Sequence, residues 1–228
     1  MSEYAYSIQR RYAAKKLIFP ERNPFPMTDE GNMPSFAAKL TEDIPYDIIE
    51  KKQGGGEGML YLAENMRRLV FSKLMDVYAE GNLENAREFW PELSENEQLL
   101  QAEQAFYQYL NGDFFKSPGA VYAIWLEGDT YVSALRLEPY QDGLLLEALE
   151  TAPEYRKQGY AYRLVEAVKE RFPGKIYSHV SKRNTPSLRT HEKCGFRKIL
   201  EYAVYIDGTV ARNAYTLCFD GLTGEKQK

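Results

Sequence analysis

The stretch richest in potential chemistry is Pro153-Glu154-Tyr155-Arg156-Lys157-Gln158-Gly159-Tyr160-Ala161. Two cations and a glycine stand directly before an amphipathic run. A helix that starts here presents unpaired backbone N–H groups and the positive end of its dipole, which suits an anion. Gly159 lets the main chain approach that anion closely. Arg156 and Lys157 add charge, and a diphosphate is the natural guest. The same pattern also suits a plain strand-to-helix turn with basic caps. It is not a Walker loop, because no Gly-Lys-Ser/Thr follows. The Gly54–Gly58 run lacks that ending too and reads as a flexible linker.

Other residues could move protons. Leu144–Thr151 reads as a strand, whose side chains alternate between faces. Leu145, Glu147, Leu149 and Thr151 then share one face, with Glu147 its one ionisable group, and Glu150 lies on the other, structural or solvated. Glu147 is either a general base or the partner of a neighbouring-strand cation such as Arg136. His179 sits in a strand and reads as a core or surface histidine, with catalysis the alternative. Cys194 reads as helix packing. Two widely spaced cysteines, Cys194 and Cys218, make no disulfide framework, and no CxxC or HExxH spacing supports a metal.

The elements that must hold these groups can be read from the pattern. Residues 59–79 carry Leu62, Met66, Leu69, Val70, Lys73 and Leu74 at helical spacing, with Gly81-Asn82 as a stop. Ser94 and Glu97 form a capping-box pattern that opens a second helix, ending at Asn111-Gly112. Strands follow at 121–127, 131–138 and 144–151, an antiparallel meander turning at Gly128-Asp129 and at 139–143. A helix over 159–172, a strand at 175–180, a short helix opened by Thr185-Pro186 and a hairpin around Asp207-Gly208 complete the order. The strand–helix–strand crossover implies one parallel pair. This is an α/β chain with a mixed sheet. Residues 46–51 could add a short strand. Pro20, Pro24, Pro26 and Pro34 punctuate 1–43, which reads as an N-terminal extension to a domain over 44–228.

Composition narrows the classes. The chain has 228 residues, 44% apolar and 27% charged, and a formal net charge of −4. Residues 1–115 carry 12 basic and 19 acidic side chains, whereas 145–200 carry 12 basic and 6 acidic. An acidic chain with one basic window lacks the broad cationic footprint of a nucleic-acid binder, but the window suits a compact polyanion. No apolar stretch approaches bilayer length and the first residues lack a signal-peptide core. A soluble cytoplasmic protein, without nucleic-acid or membrane partners, is expected.

A last motif joins these readings. Asn184, Ser187, Lys193, Gly195 and Phe196 follow the strand after the basic turn. Together with Arg156, Gly159 and Ala161, they resemble the two signatures of the GNAT superfamily of acyl-CoA N-acyltransferases: R/Q-x-x-G-x-G/A and N-x-x-[SA]-x-x-x-Y-x-K-x-G-F. The resemblance covers about 120–219 well. It implies a GNAT-type sheet, a meander plus a parallel crossover splayed around acetyl-CoA, with no metal. It implies that backbone N–H groups from Lys157 through Gln158, Gly159 and Tyr160 to Ala161 hold the pyrophosphate beside Arg156. It implies that main chain at Leu149 and Thr151 pairs with the pantetheine, and that Asn184 and Ser187 belong to the second helix start, where Asn184 steadies the arm. The expected reaction is direct transfer of an acetyl group to a primary amine, small-molecule or peptide, by a monomer or homodimer. A non-catalytic acyl-CoA-binding or sensing module is the alternative. His191 replaces the family tyrosine that protonates the departing thiolate. It either takes over that acid role, oriented by Ser187, or only fills the space. Glu147 is the expected base.

Overall fold

A computed structural model describes residues 58–221. The expected strand at 46–51, nearly all of the glycine run, the 1–43 extension and the proposed boundary at 44 lie outside the described residues.

The chain opens with β1 (Met59–Ala63), a 3-10 turn (Met66–Arg68), α1 (Phe71–Phe89) and α2 (Glu95–Gly112). The meander is β2 (Val121–Glu127), β3 (Thr130–Tyr140) and β4 (Gly143–Thr151). α3 (Tyr160–Arg171), β5 (Ile176–Ser181) and α4 (Thr185–Lys193) form the crossover. β6 (Arg197–Leu200), β7 (Ala203–Val204), β8 (Val210–Ala211) and β9 (Ala214–Phe219) close the described chain. Seven strands make one sheet in the order β1-β2-β3-β4-β5-β9-β6, with β7 and β8 a separate pair.

The meander, the crossover and both late helices stand where the sequence predicts them. The Ser94–Glu97 capping box is formed in full. Three readings are corrected. The expected helix over 59–79 begins as strand β1, which pairs with β2 through Met59↔Leu126 to Ala63↔Tyr122. Five residues that complete a sheet edge gain a ladder of backbone hydrogen bonds, and this outweighs a helical apolar spacing. Gly81-Asn82 does not stop α1, because Asn82 is buried against Met75 and the helix continues to Phe89. The closing hairpin is split: β6 pairs with β9, while its tip peels away as β7–β8.

Two cores sandwich the sheet. On one face α1 and α2 pack Leu74, Tyr78, Phe106 and Leu110 onto Tyr122, Ile124 and Ala134. On the other, α3 packs Leu164, Val165 and Val168 onto Ala123, Leu135, Leu137 and Leu146. β4 lies mid-sheet, so its two faces see different helices. It pairs in parallel with β5 only through Leu144↔Ile176, Leu145↔Tyr177 and Leu146↔Ser178. Beyond Leu146 the two strands part into a fork. Gly143 lets them meet below it: a Cβ there would stand 2.3 Å from the Lys175 carbonyl oxygen.

Candidate active site

The fork leads to the basic turn. After β4 the chain passes Pro153–Tyr155 as a 3-10 turn, sets Lys157 at φ +62° and Gly159 at φ +84°, and enters α3. The first helical bond runs from Arg163 N–H to the Gly159 carbonyl at 3.0 Å. The amides ahead of it therefore have no carbonyl within the helix. Arg156, Lys157, Gln158 and Gly159 are exposed, and a Cβ built on Gly159 would meet no protein atom within 4 Å. Open space above a positive helix end is what a diphosphate needs, so these residues fit the expected guest. Arg156 does not point freely outward: its Nε donates to the Thr151 carbonyl at 3.1 Å and its Nη1 pairs with Glu80 of α1.

Leu149 and Thr151 lie on β4 beyond the last residue paired with β5, so along the fork their main chain has a strand neighbour only on the β3 side. Asn184 caps α4, its Oδ1 accepting from Ser187 N–H at 3.1 Å. The turn into α3 thus follows β4 directly, and the α4 cap follows β5, the two strands that part beyond Leu146.

β4 is not a regular strand. Ala134 pairs with Glu150 and Arg136 with Glu147, so two residues, Ala148 and Leu149, stand against the single Leu135. Ala148 takes φ +53°, a left-handed conformation for a non-glycine residue. This β-bulge changes the phase of everything after it. Leu145 and Glu147 precede it on the face opposite Leu146; Ala148 joins the α1–α2 core; Leu149 packs on the α3 side; and Glu150 returns beside Ala134 to the α1–α2 face. Glu147 and Glu150 therefore share a face, which corrects the opposite-face reading. Tyr78 of α1 donates to the Ala148 carbonyl at 2.8 Å, and Ser133 donates to the Glu150 carbonyl at 2.6 Å. In a trans peptide the N–H opposes the C=O, so Leu149 N–H points away from Tyr78.

The two carboxylates differ. Glu147 lies 3.7 Å from buried Arg136, whose guanidinium stacks 4.9 Å from the Tyr109 ring. This is the paired alternative weighed for Glu147. Glu150 is held at a pKa of about 7, first because burial penalises its charge; Arg156 opposes this, and Glu84 and Glu80 of α1 reinforce it. A carboxyl poised near neutrality can take a proton at neutral pH. Alternation could not find it, because nothing in LLLEALET announces the bulge. Asp76, Glu80 and Glu84 stand at successive i+4 positions of α1 and so on one stripe, a spacing that the sequence itself displays. Burial and Glu154 raise the Asp76 carboxyl; Asp76 and Glu154 line a cavity of about 490 Å³ beside α1.

His191 is fully buried, edge-on to Phe196 at 5.1 Å. Its Nδ1 lies 2.9 Å from the Ser187 carbonyl oxygen, which can only accept, so Nδ1 carries the proton. Ser187 Oγ lies 3.3 Å from the same nitrogen. Burial lowers the His191 pKa to about 4. The neutral ring thus spends its one N–H on its own helix and leaves Nε2 as an acceptor. Cys194 is buried, its thiol pushed up to about 12 first by burial, as helix packing requires. His179 is buried too, its pKa lowered by burial to about 4.

Residues 82–196, just over half of the chain, match the Acetyltransferase (GNAT) family. The chain belongs to this family. Among solved structures it is similar to the ribosomal-protein-S18-alanine N-acetyltransferase of Escherichia coli, at 14% identity and TM-score 0.44 over 75% of this chain and 99% of that one. It is similar to aminoglycoside 6'-acetyltransferase type Ii at 15% and 0.48, over 73% and 99%. It is likewise similar to an acetyltransferase from Streptococcus agalactiae 2603 at 18% and 0.46, over 74% and 100%. No curated protein matches the sequence. The mixed α/β sheet with its parallel pair is the GNAT fold, and membership implies acetyl transfer from acetyl-CoA. Among the described residues no helix is long and apolar enough to cross a membrane, and no three His, Cys, Asp or Glu side chains group as metal ligands.

Proposed function

We propose that this GNAT protein transfers an acetyl group from acetyl-CoA directly to a primary amine, with Glu150 as general base. The observation that supports the reading is that β4 carries a carboxyl poised near pH 7 beyond the point where it parts from β5, and runs on into the open turn at Gly159.

Bound acetyl-CoA supplies the activated thioester. The amides from Lys157 to Ala161 hold its pyrophosphate, with Arg156 beside them. Main chain at Leu149 and Thr151 aligns the arm along β4, and Asn184 and Ser187 bound it at the start of α4. The acceptor approaches from the α1–α2 face, where Glu150 takes the proton that frees the amine lone pair. Leu149 N–H, turned away from Tyr78 by the bulge, donates to the developing oxyanion. Glu147 serves as counter-ion to Arg136 and fixes the strand one residue before the bulge. His191 has no proton to offer the leaving thiolate, so its role is to pack α4.

The test is thiol release from acetyl-CoA against a panel of amines, amino acids, polyamines, aminoglycosides and peptides. Turnover is expected with at least one amine, with an acid limb near pH 7. Glu150→Gln is expected to lower turnover by roughly two to four decades, with CoA affinity unchanged by calorimetry. CoA binding without turnover on any amine would instead support the acyl-CoA-binding module. Full turnover in Glu150→Gln would remove the base.

A further inference from the structure

Arg156 ties the turn before α3 to two other elements. Its Nε donates to the Thr151 carbonyl of β4 at 3.1 Å, and its Nη1 pairs with Glu80 of α1. Where that carbonyl points follows from the ladder. Ala152 N–H donates to the Val132 carbonyl of β3, so Ala152 turns its backbone groups toward β3. Successive residues of a strand turn them to opposite edges. The Thr151 carbonyl therefore points away from β3, to the edge where β4 has parted from β5. The Arg156 side chain thus lies across the end of β4, with a hydrogen bond on the fork edge and an ion pair to α1.

Both bonds of that side chain compete with the proposed cofactor path. An arm aligned on β4 uses the Thr151 carbonyl as acceptor for an amide N–H. A diphosphate at the turn is a stronger guanidinium partner than one exposed carboxylate, because it carries two charges and takes the planar group in a bidentate pair. Arg156 and Glu80 are 41% and 54% exposed, so their pair is weak and open to exchange. The exchange is felt at Glu150. The charged and titratable groups acting on that carboxyl are Glu80 and Glu84 of α1, Arg156 of the turn and Tyr122 of β2; Arg136 of β3 is matched to Glu147. Arg156 favours the Glu150 carboxylate, whereas Glu80 and Glu84 oppose it. A diphosphate that claims Arg156 cancels its charge and takes the counter-ion from Glu80, and both changes make Glu150 hold a proton more firmly. We infer that Glu80 is a positioning residue for the cofactor: it holds Arg156 across the end of β4, and binding exchanges the Glu80–Arg156 pair for an Arg156–diphosphate pair, which draws a proton from solvent onto Glu150. This rests on the proposed cofactor path, and neither on turnover nor on which amine is the acceptor.

The test is calorimetry on the full chain with dephospho-CoA, which carries the diphosphate and the arm but no phosphate monoester that titrates near neutrality. Titrations at about pH 7.5, just above the Glu150 pKa of about 7, in two buffers of different ionisation enthalpy count the protons exchanged. Wild type is expected to take up a fraction of a proton on binding, and Glu150→Gln none. Glu80→Gln is expected to tighten dephospho-CoA about twofold to fivefold, because an exposed pair no longer competes for Arg156. The same substitution is expected to change nothing where Arg156 is already Gln. A Glu80 charge acting only through space would tighten the ligand in both backgrounds, and a merely structural Glu80 would move the melting temperature and neither affinity. Either pattern would overturn the inference, as would binding by wild type without proton uptake or equal uptake in Glu150→Gln. In each of those cases the dephospho-CoA bound by wild type leaves the cofactor path standing. No dephospho-CoA binding by wild type would overturn both.

Discussion

At pH 8 Glu150 is ionised with Glu80 and Glu84 of α1 near it, and its partial burial makes this charge costly. Its folded pKa of about 7 exceeds the ordinary 4.5. Between those values the folded chain holds a proton that the unfolded chain has lost, so this group's contribution to stability falls as pH rises across the window. Glu150→Gln is expected to raise the melting temperature over wild type at pH 8 and to match it at pH 4, as scanning calorimetry would read. The same substitution is expected to lower turnover, so on the proposed reading stability and activity move in opposite directions at one side chain. His191 gives the contrast. Its ring is buried and its N–H is spent on the Ser187 carbonyl. His191→Phe is expected to keep turnover within about twofold from pH 6 to 9 in the thiol-release assay. A large loss with normal CoA affinity would restore the acid role.

Among the elements, the turn into α3 and the bulge in β4 do different work. The turn takes left-handed backbone at Lys157 and Gly159 and leaves a cradle open to solvent. In Gly159→Glu the added Cβ meets no protein atom within 4 Å, so the fold is expected to survive, with about 1 kcal/mol of backbone strain from a side chain at positive φ. It would bring a carboxylate into the phosphate space. CoA affinity by calorimetry is expected to fall by roughly a hundredfold or more; unchanged affinity in the folded variant would exclude the cradle. The bulge is held from three directions, by Tyr78 on the Ala148 carbonyl, Ser133 on the Glu150 carbonyl, and the Arg136–Glu147 pair. These contacts come from α1 and β3, which is why one positive-φ alanine persists mid-sheet.

Across the whole molecule, α1 connects Glu150 electrostatically to the turn before α3. Glu80 pairs with Arg156 in the turn and also raises the Glu150 carboxyl, and Glu84 does the latter too. The Glu80–Arg156 pair is partly exposed on both sides, so it adds little stability, and its consequence is electrostatic. Removing two like charges lowers a carboxyl pKa. The double variant Glu80→Gln with Glu84→Gln is expected to move the acid limb of turnover below its wild-type position, and a pH–rate profile would read the shift. An acid limb left in place would separate α1 from the base.

Sequence alone determined the order of elements from Ser94 to α4, the parallel crossover, the glycine turn into α3 and the α4 cap, because these rest on local signals. A capping box, a glycine before an amphipathic run and a proline at a first helical position act within a few residues of themselves. The sequence did not place Met59–Ala63 in a strand, since that ladder forms with β2, some sixty residues away. Nor did it reveal which carboxylate stands poised. Period-two reading put Glu147 and Glu150 on opposite faces, and a single extra residue at Ala148 brings them to the same one. Their charges then depend on what each face meets: Arg136 opposite Glu147, and α1 above Glu150. Strand phase and buried electrostatics are properties of assembled neighbours, so only the tertiary structure could decide them.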